Sequence, residues 1–138
     1  MTFVHQPRIL IAAEMLNVRI TLDALLRRRG FRTLVVENGS NALAVYRHGA
    51  IDLVVIDLVL ADMQGLELVR RLRSLDDDAS VILLGDSGAL DEQSYVDVPV
   101  VYKTMAPALV LDRIASLAWS PANAAQASSA LVRSAATA

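Results

Sequence analysis

Apolar residues in this chain come in short unbroken runs, separated by stretches where they recur every three or four positions. The runs are RILIA at 8–12, TLVV at 33–36, DLVVI at 52–56, SVILL at 80–84 and VPVVY at 98–102. Each has strand length and is rich in Val, Ile or Leu, so five strands are predicted. Pro99 puts the last of them at a sheet edge or a strand start. Between the runs the period lengthens. Leu16, Ile20, Leu22, Leu25 and Leu26 predict a helix over 16–29 that Gly30 stops. After the Asn38-Gly39 turn, Ser40 reads as the N-cap of a helix through Leu43, Ala44 and Tyr46, closed by Gly49. Residues 65–75 turn Leu66, Val69 and Leu72 inward and Arg70, Arg71 and Arg73 to water. A last helix over 106–119 has Leu109, Ile114 and Leu117 for its core, with Trp119 closing it.

Strands alternating with helices imply right-handed βαβ crossovers and a mostly parallel α/β sheet covered on both faces. Strands buried on both faces read as continuous apolar runs, as these do. Beyond Trp119 the sequence SPANAAQASSALVRSAATA offers only Leu131 and Val132 as bulky apolar residues. A domain over 1–119 with an Ala/Ser-rich, mobile tail over 120–138 is therefore expected.

Composition narrows the chemistry. At 138 residues the chain suits one domain, and 54% hydrophobic against 4% aromatic residues means an aliphatic core with no aromatic platform for stacking bases. A net charge of −2 gives no general attraction to nucleic acid or anionic membrane. The absence of Cys removes disulfides, thiol nucleophiles and thiolate metal sites, and suits a reducing cytoplasm. With no stretch of membrane-spanning length, a soluble cytoplasmic protein is expected, with no appended DNA-binding domain. No GxxxxGK[ST] loop, no GxGxxG after the first strand and no GxSxG elbow occurs, so nucleotide hydrolysis, dinucleotide binding and serine hydrolysis lose support.

One charge is out of keeping with its surroundings. Asp57 ends the apolar run of the third strand, and in open parallel sheets ligands bind beyond the carboxyl ends of strands. At the same end lie Ala13 and Glu14, after the first strand, and Lys103, after the fifth. Two carboxylates can hold a hard divalent cation through oxygen. An ammonium can pair with a phosphoryl oxygen, and together they lower the charge cost of carboxylate attack on phosphorus. Taken singly, each has a plainer reading: Asp57 as a helix cap or solvated acid, Glu14 as a surface or N-cap acid, Lys103 as a solvated strand-end lysine. Arg27, Arg28, Arg29 and Arg32 read as a solvated face, Asp76, Asp77 and Asp78 as a hydrophilic loop without EF-hand spacing, and His5 and His48 as surface residues.

The stretches RILIA with Asn17 and Arg19 downstream, RRRGF, ENGSNAL, DLVVIDLVLADMQGLELVRRLR, SVILL and VYK carry a resemblance. Over residues 7–119 the chain resembles the receiver domain of bacterial two-component response regulators. The resemblance implies a flavodoxin-like, doubly wound, five-stranded parallel sheet of order 2-1-3-4-5 with helices on both faces. It implies Asp57 as phosphoacceptor, Lys103 as the phosphate-pairing lysine, and Mg²⁺ held by Glu14, Asp57 and the Val59 backbone carbonyl. The implied partner is a histidine kinase or phosphotransfer protein. A homodimer or further partner would use the face made by the fourth helix, fifth strand and fifth helix. Such a protein is a phosphoacceptor and no enzyme, beyond assisting its own phosphorylation and dephosphorylation.

The departures bear on function. Ala13 stands where the family has a second acid, and Glu14 is a methylene longer than the usual aspartate, so Mg²⁺ should bind weakly. Ala61 replaces a common Pro. Gly85 replaces the Thr or Ser whose hydroxyl binds the phosphoryl group, with Asp86 next and Ser87 offering a hydroxyl if the loop turns back. Val100 replaces the switch aromatic, with Tyr102 beside Lys103 instead; Thr104 replaces Pro; and GDSGALDEQSYVD is short for a full fourth helix. The expected function is a stand-alone phosphorelay receiver with an atypical switch. The alternative is a phosphorylation-independent pseudo-receiver serving as a protein–protein interaction module.

Overall fold

The computed structural model of the chain describes residues 6–85, 98–103 and 106–119. Its elements follow as β1 (Arg8–Ala12), α1 (Leu16–Arg28), β2 (Arg32–Val36), α2 (Gly39–His48), β3 (Leu53–Asp57), α3 (Gly65–Leu75), β4 (Val81–Gly85), β5 (Val100–Tyr102) and α4 (Pro107–Ala118). The strands form one sheet in the order β2-β1-β3-β4-β5, with every pairing parallel. This is the expected doubly wound order.

Side-chain alternation divides the core in two. Ile9, Ile11, Leu53, Val55, Ile82, Leu84 and Val101 meet α1 and α4, whereas Leu10, Ala12, Val54, Ile56 and Leu83 meet α2 and α3. All five residues of β3 and of β4 are buried, which is why those runs carry no alternation. Burying an aliphatic side chain contributes roughly 1.5–3 kcal/mol, so these central strands are the firmest base in the fold for a site at their ends.

Local signals explain the boundaries. Gly30, at φ 92°, ends α1 in a left-handed turn: its N–H donates to the Arg27 carbonyl, and the Phe31 N–H to that of Leu26. Asn38, not Ser40, is the N-cap of α2, its side chain accepting from the Asn41 N–H. Ser40 lies inside the helix. The strand signals were displaced by one residue in β3 and β4, so that Asp57 and Gly85 are each the last residue of their strand. β5 is shorter than the VPVVY run. Pro99 precedes it and serves through its carbonyl, which accepts from the Leu83 N–H.

Four residues expected in the core are exposed: Leu16, Ile20, Leu109 and Trp119. In α1 the sheet-facing stripe is Leu22 and Leu26 with Val18 and Leu25, and Leu16 and Ile20 fall outside it. In α4 the stripe is Val110, Leu111, Ile114 and Ala118, which turns Leu109 to water. Trp119 lies against Phe31 at a ring-centroid distance of 5.9 Å and so covers the core from outside. His48 is exposed as expected. His5, Thr104, residues 86–97 with Asp86, Ser87 and the expected short fourth helix, and the 120–138 tail lie outside the described residues. No helix among the described residues is long and apolar enough to cross a membrane.

Candidate functional site

The carboxyl ends of β1, β3, β4 and β5 meet around Asp57. This residue is buried, with 6% of its surface exposed, a position that an ionised carboxylate keeps only when paired. By alternation with Leu53 and Val55 its side chain leaves the sheet on the α1 and α4 side. There the Lys103 Nζ donates to Asp57 Oδ2 at 2.8 Å. Lys103 is set in place from the backbone, where its N–H continues the β4–β5 ladder by donating to the Gly85 carbonyl at 2.9 Å. Its side chain borders a mostly apolar cavity of about 200 Å³ between α1 and α4, lined among others by Val18, Leu22, Leu84 and Val110. The hydrocarbon stem thus lies along apolar walls while the ammonium reaches the acid.

The loop from 58 to 64 is a small hairpin. Val59 and Gln64 form an antiparallel bridge through two bonds, Leu60 N–H to the Met63 carbonyl and Gly65 N–H to the Leu58 carbonyl, with Ala61 and Asp62 at the tip. Those bonds leave the Val59 carbonyl out of the bridge. Leu60 is buried in the α2–α3 core and anchors one arm. Gly65 seats the other, because a Cβ there would run into the carbonyl oxygen of Asp57. The tip is held from α2: Asp62 Oδ1 accepts from the Gly39 N–H at 2.8 Å, and its Oδ2 from the Ser40 N–H at 3.0 Å and the Ser40 hydroxyl at 2.8 Å. These bonds, the Gly39 one foremost, hold the Asp62 carboxyl below its usual range.

The β1–α1 loop is held by Arg19. Its Nη1 donates to the carbonyls of Ala13 and Glu14, each at 2.7 Å, and its Nη2 lies 4.0 Å from Glu37. Ala13 is wholly buried. The Glu14 side chain is exposed at the same end of the sheet, and it is the Glu14 carbonyl that Arg19 holds. Gly85 is buried at the end of β4, in register with Tyr102. Val100 is half-buried against the α2–α3 core, in register with Leu83.

Of the expected site residues, Asp57 and Lys103 are in direct contact. Glu14 and the Val59 carbonyl stand on the two loops beside them. The donor set is all oxygen: the Asp57 carboxylate, the Val59 carbonyl and the Glu14 carboxylate. That chemistry fits a hard cation such as Mg²⁺, which accepts few protein ligands and keeps several waters. Among the described residues no three His, Cys, Asp or Glu side chains are grouped so as to enclose a metal. The roles of Asp62 and Arg19 were missed from sequence. A signal for Asp62 existed in the polar turn after Asp57 and in the ENGS start of α2, but their pairing across 23 residues is tertiary.

The family described as response regulator receiver domain matches residues 9–102. Sporulation initiation phosphotransferase F of Bacillus subtilis is 31% identical over 84 residues, covering 61% of this chain and 68% of that protein. Transcriptional activator protein PfeR of Pseudomonas aeruginosa is 37% identical over 86 residues, which cover 62% of this chain but 28% of that protein's length. Among solved structures, response regulator TrrA of Thermotoga maritima, crystallised with Mg²⁺-BeF, superposes with a TM-score of 0.72 at 28% identity, covering 81% of this chain and 99% of that one. The same regulator in complex with histidine kinase ThkA also gives 0.72 at 28% identity, covering 81% and 98%.

Proposed function

The chain belongs to the response regulator receiver domain family, and we propose that it takes a phosphoryl group onto Asp57 in a phosphorelay. The observation that carries this is the 2.8 Å contact of Lys103 Nζ with the Asp57 carboxylate, buried at the carboxyl end of the sheet. In the reaction a carboxylate oxygen of Asp57 attacks the phosphorus of a donor phosphohistidine. The P–N bond breaks as the P–O bond of an acyl phosphate forms, and the departing imidazole takes up a proton. Lys103 then bonds a phosphoryl oxygen in place of the carboxylate it held. Glu14, Asp57 and the Val59 carbonyl would hold Mg²⁺, which supplies positive charge against the phosphoryl oxygens. With one acid fewer than usual and an exposed Glu14, weak affinity is our reading.

A histidine kinase or phosphotransfer protein is the partner we assign. Exposed Met15, Leu16, Ile20 and Val59 give the loops and helix beside Asp57 apolar surface suited to such a contact. Homodimer contact through the expected face of the fourth helix (which lies outside the described residues), β5 and the last helix, here α4, is proposed as the output; Leu109 of α4 is exposed. The phosphoacceptor carries out no turnover chemistry on a separate substrate, and its setting is the cytoplasm. Gly85 has no hydroxyl to be drawn toward a phosphate, so the switch is atypical.

A second reading, the phosphorylation-independent interaction module, draws on the wholly buried methyl of Ala13 and the exposed Glu14. Intact mass after incubation with Mg²⁺ and acetyl phosphate or a kinase, with Asp57→Asn as control, decides between the two. A phosphate-sized gain lost in Asp57→Asn supports the receiver. No gain with several donors favours the module.

A further inference from the structure

We propose that Asp62 is a positioning residue for the Asp57 site, and that through it the amino end of α2 registers what binds there. The proposal rests on the receiver reading above and adds a route of response within the chain.

The geometry is specific. A helix leaves its first N–H groups without partners inside the helix. In α2 the Asn41 N–H is capped by the Asn38 side chain, three positions away, whereas those of Gly39 and Ser40 are bonded by Asp62, far off in sequence. The Ser40 hydroxyl adds a third bond to the same carboxylate. Gly39 also makes room for Met63, since a Cβ at 39 would collide with that side chain's thioether. The hairpin tip is therefore docked on α2 by a charged group and by packing at once.

The hairpin between this clasp and Asp57 is short and braced. Val59 lies three residues from Asp62, in the arm whose bridge to Gln64 leaves the Val59 carbonyl unused. Leu60 is fixed in the core and Gly65 against the Asp57 backbone. A cation that draws on the Val59 carbonyl must act on a hairpin whose other end is the cap of α2. On the β4 side, Gly85 offers no side chain to follow a phosphoryl group. The braced path leads toward α2.

Linkage makes this testable from both ends. If Mg²⁺ binding alters the clasp, loss of the clasp alters Mg²⁺ affinity by the same factor. The full chain, labelled with ¹⁵N, is titrated with Mg²⁺ alone. In the wild-type protein the Gly39 and Ser40 amide signals should move with the same midpoint as those of Leu58 and Val59. In Asp62→Ala the Mg²⁺ dissociation constant should rise about tenfold, the scale seen when groups supporting metal ligands are removed, with Gly39 and Ser40 no longer following. Ser40→Ala, which removes one of the three bonds, should give a smaller rise and covers the case in which Asp62→Ala fails to fold. Wild-type binding without movement at Gly39 and Ser40, or unchanged affinity in both variants, overturns this proposal and leaves the receiver reading standing. No Mg²⁺ response at residues 57–59 overturns both.

Discussion

Gly65 lies so close to Asp57 that an added Cβ would overlap the Asp57 carbonyl oxygen and come within 3.1 Å of both its carbonyl carbon and the Leu58 Cα. All three are backbone atoms and cannot rotate aside. Gly65→Ala should therefore lower stability by about 1–3 kcal/mol, as overpacking does, read from urea denaturation. The backbone that must shift is the one that aims Asp57, so the rate of phosphoryl uptake under folded conditions should fall as well. Unchanged stability would mean that the β3–α3 junction yields more easily than its packing indicates.

Lys103 and Asp57 are unequal partners. The lysine side chain is 26% exposed and the aspartate side chain 8%. Removing the lysine strands a buried carboxylate, whereas the more exposed ammonium does not depend on the acid alone. Lys103→Met should cost about 2 kcal/mol, because an unpaired buried charge is expensive. Asp57→Asn should cost less than about 1 kcal/mol, since its amide can still bond. In a double-mutant cycle the pair should show coupling of about 1 kcal/mol or more, as contacting residues do. Additive losses would argue that the contact contributes little.

What could be read from sequence followed the length scale of the forces involved. The strands and helices were legible because apolar runs and helical periods are local patterns, and the sheet order followed once the resemblance was recognised. Ser40 misled as an N-cap because Asn38, two positions earlier, does more than form the turn: its side chain accepts from the Asn41 N–H, while the Ser40 hydroxyl is engaged by Asp62. Leu16 and Leu109 misled because apolar character marks a residue able to be buried, while the neighbouring stripe decides whether it is. Asp57 and Lys103 stood out as charges at the ends of apolar runs. Asp62 did not, since the first turn of α2 that it bonds is 22 and 23 positions away and only the fold brings it near. Arg19 did not, since its partners, five and six positions away, are backbone carbonyls that carry no mark in the sequence.

Acid should weaken the α2 clasp before it touches the core. The Asp62 carboxyl is held below its ordinary value of 3.8, first by the Gly39 N–H. Its contribution to stability is therefore complete above pH 3.8 and is lost as pH falls through the lower, folded value. The stability difference between wild type and Asp62→Asn should be flat from neutral pH down to that point and shrink below it. Denaturation curves collected across this range test the sign. A difference that grows on acidification would show that the carboxylate does not stabilise the folded chain.

Ala13 offers the sharpest test of whether the metal side of the site can be rebuilt. Its methyl is wholly buried, its N–H donates to the Val36 carbonyl at 3.1 Å, and its carbonyl accepts from Arg19 at 2.7 Å. Ala13→Asp places a carboxylate where the backbone is already fixed from both sides, so the side chain must remain near the strand ends. Without metal, a buried unpaired acid should lower stability by about 1–3 kcal/mol. With Mg²⁺ the new acid gains a partner, and a ligand that binds only the folded state raises stability by mass action. Thermal melts of Ala13→Asp should therefore recover with Mg²⁺ far more than those of wild type, and calorimetry should give tighter Mg²⁺ binding. Equal loss with and without the ion would mean that position 13 does not face the cation. The weak acid complement of this site would then be a settled feature of its architecture, and the interaction-module reading would gain.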